Sequence, residues 1–297
     1  METNFPNGVS SQGVPVIGGA KLPSTTGNYW FVSSTAGSNG NNGKSKSSPF
    51  ATLAQAVLAA TASNGDVVVV MPGHAETITG AAGITFSKAG VYFIGLGTGH
   101  NRPSITFTTA IGAQIIVSGA NVTFDNIFFD FTGFDAITAA ISVTGADVTF
   151  VNSEFKTNSG TAGVVLGILT AATATRFRVE NCLFFGTAAN TGTTTTAQIK
   201  HEVGIDYVIR NNYFTGKMTQ SILNVTTILG GLIDNNRFVV ATGTVAITMA
   251  AASTPFISNN RINVPSGTAP IVAAAGFVAG NVYSAAAGVT AGAASTI

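Results

Sequence analysis

The sequence predicts an all-β protein, a single-stranded solenoid of stacked β coils closed at its N-terminal end by a helix. Three observations carry this. A short phrase recurs along the chain, each copy alternates apolar and polar residues with the two-residue period of a strand, and each is interrupted at the same point by an asparagine. The tightest copies are YVIRNNYF from Tyr207, LIDNNRF from Leu232 and FISNNRI from Phe256, whose first asparagines, Asn211, Asn235 and Asn259, are spaced by 24 and 24. Earlier copies centre on Asn126, Asn152 and Asn181 and a degenerate one on Gly280, so the intervals run 26, 29, 30, 24, 24 and 21. A unit of about 20–30 residues cannot bury its own apolar face and must stack on its neighbours.

Each phrase carries an apolar residue two before the asparagine (Ile209, Ile233, Ile257) and another three after it (Phe214, Phe238, Ile262). Asparagine enters left-handed backbone conformations cheaply, which suits a tight bend between two strands. Stacking then sets Asn over Asn and Phe over Phe. With VTFDNIFF, VTFVNSEF and FRVENCLFF added, the chain resembles the pectate-lyase-like superfamily of right-handed parallel β-helices, which carry an internal asparagine ladder at one bend. The resemblance covers roughly residues 28–284. It implies the handedness and the parallel pairing. It implies less about activity, because that superfamily includes lyases, glycosidases, phage tailspikes, adhesins and inert virion proteins.

In order, residues 1–27 read as an extended arm, with Pro6, Pro15 and Pro23 and no periodicity. Residues 28–65 form a cap. A first strand holds Trp30 as an anchor, and a polar loop over 37–48 follows. That loop is not a phosphate cradle, because Ser38 stands where the first glycine is needed. A helix is expected from Ser48 as N-cap and Pro49 as first residue. Phe50, Leu53, Ala54, Val57 and Leu58 would form its apolar stripe, and it should plug the open end of the first coil. This cap, followed by GDVVVVMPGHAETIT, resembles the opening of phage-encoded β-helix virion proteins. Residues 66–285 are the solenoid, with strands at 67–71, in VYFIGLG, and in IIVSG, AISVTG, VVLGIL, SILNVT and VAITMA. His74 and His100 fall in glycine-flanked turns and are expected at the surface. Residues 286–297 are a tail.

Only 8% of residues are charged, against roughly 25% in an ordinary globular protein. Mean hydropathy is +0.40. So few charges protect a surface poorly against association, and much of the shaft's flank is expected to be covered by identical partners or by a larger assembly. A formal net charge of +1 with no basic run speaks against duplex nucleic acid. The glycine-rich, polar C-terminal region speaks against a membrane span. The single Cys182 is expected to pack as a small apolar residue. The first residues have neither a basic nor an apolar region of a secretory signal, so synthesis in a host cytoplasm is expected.

A glycosidase needs two carboxyls about 5–9 Å apart. Asp125, Asp130 and Asp135 are the densest acidic group, but a bend separates the first two. Glu180, Arg210 and Asp234 should stack outward as a charge ladder. Arg237 and Arg261 should stack with no acid facing them. No catalytic, cofactor-binding or metal-binding residue is singled out, and the chain is expected not to be an enzyme. The expected role is a capsid decoration (cement) protein of a tailed bacteriophage. It would be a homotrimer on the capsid surface of the virion, with the major capsid protein as partner. The alternative is a tailspike or secreted β-helix protein that binds or cleaves polysaccharide.

Overall fold

The computed structural model describes residues 9–11, 14–16, 22–79, 83–108, 113–133, 139–157, 166–186, 197–202, 205–216, 219–240, 245–250, 252–264, 270–273 and 276–285. Three parallel sheets of ten, nine and eight strands wind around one interior, and the winding is right-handed. Between Val67 and Val272 each coil gives one strand to each sheet, as Arg178–Glu180, Leu183–Gly186 and Ala197–His201 do. Val9–Ser11 and Val14–Val16 pair separately as an antiparallel hairpin. The tail at 286–297 lies outside the described residues. Among those described, no helix is long and apolar enough to cross a membrane.

The repeated phrase builds the corner between the first and second sheets. Asn126, Asn152, Asn181, Asn211, Asn235 and Asn259 all sit at φ between 50° and 58°, and Gly280 takes the same place at φ 65°. From Asn126 onward only two residues separate the strands there. These asparagines are aligned from coil to coil, but all except the half-buried Asn126 are exposed. The ladder expected of them is made by the residue that follows. Asn212, Asn236 and Asn260 are buried. The Asn236 side-chain oxygen accepts from Asn212 N (2.9 Å) and Asn212 Nδ2 (3.0 Å), while its Nδ2 donates to Ile209 O (2.8 Å) and Asn260 Oδ1 (3.0 Å). Asn281 ends the row by accepting from Asn260 N and Nδ2. The physical reason is that a left-handed residue at the corner turns its own side chain outward and hands the next one inward. Upstream, Cys182 and Ser153 occupy the inward place. The Cys182 thiol is buried, and that burial pushes it up to about 12.

Inside the second sheet, Phe129, Phe155, Phe184, Phe214 and Phe238 stack, with ring centroids 5.1, 4.5, 4.7 and 4.8 Å apart. Phe93, Phe124 and Phe150 stack likewise in the first sheet. Ile115, Ile141, Ile168, Ile199, Ile222 and Ile247 line the third sheet in register. The main core results, because the same phase of every coil points inward; Val67, Val69 and Ile94 form a smaller, separate cluster.

The capping helix spans Leu53–Ala59, with Thr52 rather than Ser48 as N-cap. Phe50 is drawn into a β-bridge with Val32, so the chain cannot begin to coil until after it. The later start rotates the apolar stripe. Leu53, Ala56 and Val57 are buried, while Leu58 is 72% exposed. Trp30 is an anchor as expected: its ring stacks on Phe50, with Lys44 Nζ 3.4 Å from its centroid. His74 departs from expectation. It is buried, its Nδ1 accepts from Ser34 N (2.9 Å) and its Nε2 lies 3.2 Å from Glu76. A turn folded back on the cap strand needed an internal acceptor. His100 is exposed in the turn Gly99–Asn101.

His201 faces the interior, packed on Phe177 and Tyr207. Its Nδ1 contacts Thr170 Oγ1, and its Nε2 has no partner among the described residues. Burial presses its pKa from 6.5 to about 3. The folded value lies below the unfolded one, so the unfolded chain takes up the proton first and stability falls as pH drops from 6.5 toward 3. From pH 6.5 to about pH 5 the expected loss approaches 1.4 kcal/mol per pH unit. Urea midpoints across that range should show this slope in the native protein and lack it in His201→Asn.

Candidate functional site: the outer faces of the shaft

The acidic residues come first, because hydrolytic chemistry would need a free pair. Asp125, outward on the first sheet, accepts from Tyr92 Oη and Asn152 Nδ2, both at 2.8 Å. Burial, with that carboxylate beside it, pushes the Tyr92 phenol upward. Asp130, on the second sheet, accepts from Thr132 N (2.9 Å) and Lys156 Nζ (3.2 Å). The bend does separate them, and Asp135 lies outside the described residues. Glu180, Arg210 and Asp234 are in register as expected. Among the described residues, Arg210 pairs with Glu180, through Nε (2.9 Å) and Nη2 (2.8 Å). Asp234 instead accepts from Ser258 and Asn259. Among the described residues, no group of three or more His, Cys, Asp or Glu could hold a metal ion.

The outward row of the first sheet changes character along the axis. Its register runs Thr149, Arg178, Val208, Leu232, Phe256, Phe277. Phe256 is 56% and Phe277 41% exposed, with rings 5.6 Å apart. In the adjoining turn, Ile205 and Leu229 bridge each other at 54% and 56% exposure. A depression of about 480 Å³ runs between Val208, Leu232 and Phe256, with Arg176, Arg178 and Asp206 on its rim. Large side chains left this open in a contiguous patch mark an interaction surface. The patch was legible in the alternating phase of the repeats, had the outward positions been read as closely as the inward ones.

The second sheet presents Glu154, Leu183, Tyr213, Arg237, Arg261 and Val282 along one outward row. Arg102 reaches up to Glu154 at 2.5 Å. A shallow depression of about 380 Å³ lies beside the exposed Asn152, Asn181 and Asn211.

No family model matches the sequence, and no curated protein does. Solved structures do. The chain is similar to pectate lyase Pel9A (14% identity, 92% of this chain and 82% of that one, TM-score 0.54). It is similar to a pectin methylesterase from carrot (16%, 91% and 87%, TM-score 0.52) and to a rhamnogalacturonan lyase (13%, 86% and 87%, TM-score 0.51). The chain therefore has the pectate-lyase-like parallel β-helix fold. All three of these structures are enzymes, which overturns the expectation that the chain is not one. That expectation rested on finding no acidic pair in the sequence. In a solenoid, side chains that meet come from neighbouring coils, 21 to 30 residues apart, so no local motif is required for a site.

Proposed function

We propose that this chain is a structural virion protein of a tailed bacteriophage, a capsid decoration protein that associates laterally as a trimer and braces the major capsid protein on the shell's outer surface. The observation that carries the reading is the outward row Val208, Leu232, Phe256 and Phe277 with Ile205 and Leu229 beside it. A chain in which only 8% of residues are charged, and which carries such a row, is suited to burial against other copies. Covering a large apolar side chain contributes about 1.5–3 kcal/mol, so Phe256→Asp combined with Leu232→Asp should weaken association by on the order of 100-fold or more. Light scattering after size exclusion is the test: a native trimer and a monomeric double variant are expected. A native monomer would remove the basis of the reading. Mass spectrometry of purified virions would then separate shell, with hundreds of copies, from tail, with a handful.

A second reading is favoured by one finding, the shared fold with two polysaccharide lyases and a pectin esterase. It makes the shaft part of a tailspike or secreted protein that binds or cleaves polysaccharide. Depolymerisation of a capsular or pectic polysaccharide by the purified chain would support it.

A further inference from the structure

Four of the chain's six arginines sit in ion pairs: Arg102 with Glu154, Arg176 with Asp147, and Arg178 and Arg210 with Glu180. Arg237 and Arg261 make none among the described residues, and these are the two that the fold sets directly opposite each other. Neighbouring strands are about 4.8 Å apart, and like charges facing across them destabilise a sheet. Arg237 is relieved on one side only, its Cζ lying 4.8 Å from the centroid of the Tyr213 ring. Arg261 has Val282 as its register partner on the other side. Asp234 precedes the bend and is held by Ser258 and Asn259. Both arginines are exposed. They border an open depression of about 230 Å³ whose other walls include Val239, Asn263 and Val282, and among the described residues no acid lines it.

We propose that Arg237 and Arg261 form a single anion-binding site, which takes one carboxylate, sulfate or phosphate group between the two guanidiniums. Planar guanidinium forks match such oxyanions with paired, charge-assisted hydrogen bonds, and an anion there converts a repulsion into a bridge. Two cations are too few to track a nucleic acid backbone, whose binding needs several phosphate contacts. The site lies on a different sheet from the apolar row, so the outcome of the association experiment leaves it untouched.

The test is thermal melting of the full chain in chloride at low ionic strength, with sulfate or inorganic phosphate substituted at constant ionic strength. A saturable rise of roughly 5 °C is expected, lost in Arg237→Gln/Arg261→Gln and kept in Arg176→Gln. The double variant should melt no lower than the native chain in chloride alone, because it removes a repulsion. A structural role for the arginines would lower it. Dextran sulfate distinguishes the sources: a response as dependent on both arginines shows that the site takes groups carried on a polymer, and a response to the free ions alone shows a small-anion site. A non-saturating rise of equal slope in native and double variant is the general exclusion effect of sulfate and overturns the proposal, as does no rise in the native chain.

Discussion

Replacing Asp66 by alanine is expected to cost about 3–5 kcal/mol and lower the melting temperature by roughly 10 °C. One buried carboxylate ties the cap together. Its Oδ1 accepts from Asn28 N (2.8 Å), Asn28 Nδ2 (3.2 Å) and Asn64 Nδ2 (2.7 Å), and its Oδ2 from Trp30 Nε1 (2.9 Å) and Thr61 N (2.8 Å). The first strand, the residues after the helix and the start of the solenoid therefore converge on one side chain. Alanine leaves the Trp30 indole and the Asn28 and Thr61 backbone amides without this acceptor. Burial alone would raise the carboxyl's pKa, but the donors led by Trp30 outweigh it and hold it at about 2, below its ordinary 3.8. A depressed folded value contributes stability above pH 3.8 that is lost as pH falls toward 2. Melting curves at several pH values should show a loss in that window for the native chain and a flatter profile for Asp66→Ala. A variant that melts with the native protein would show that the cap does not need this hub.

Asn236→Leu should be as severe, about 3–4 kcal/mol, although leucine suits the apolar surroundings and has as many side-chain heavy atoms. Asn236 is the middle rung. Its loss leaves Asn212 N and Ile209 O without these partners and takes one of two hydrogen bonds each from Asn212 Nδ2, which keeps Val179 O, and Asn260 Oδ1, which keeps the backbone N at 236. Unsatisfied polar groups inside a core cost more than the hydrogen bonds contribute, so a more apolar residue is the worse choice here. Substituting the neighbouring exposed Asn235 by glycine should cost well under 1 kcal/mol, since glycine enters the left-handed region freely. Chemical denaturation of the two variants side by side would test the distinction between the inner and outer amide rows.

That distinction marks how far the sequence could be read. The bends were legible because a residue type, asparagine, coincided with a break in a two-residue period. The interior was legible because Phe214 and Phe238 recur at fixed distance from it. Which asparagine of each Asn–Asn pair turns inward was not, since it depends on the side-chain direction of a left-handed residue. The doublets at 211–212, 235–236 and 259–260 were nevertheless in plain view. The helix start was missed because a tertiary bridge to Val32 claimed Phe50 against a good local capping signal. His74 was missed because Ser34, whose amide it accepts from, lies 40 residues earlier on the cap strand. For the same reason the outward rows could be listed in register, yet their ion pairing, with Asp234 bonded to Ser258 and Asn259 rather than to Arg210, could not.

At the corner between the first and second sheets, from Asn126 onward, two residues always suffice. Between the second and third sheets the connection runs from three residues, after Gly216, to ten, after Gly186. Doubling such a loop costs only about 0.6 kcal/mol in closure entropy. A lineage built on this plan can therefore splice new material into one flank again and again while the opposite hinge keeps time, revising what the molecule meets without disturbing how it stands.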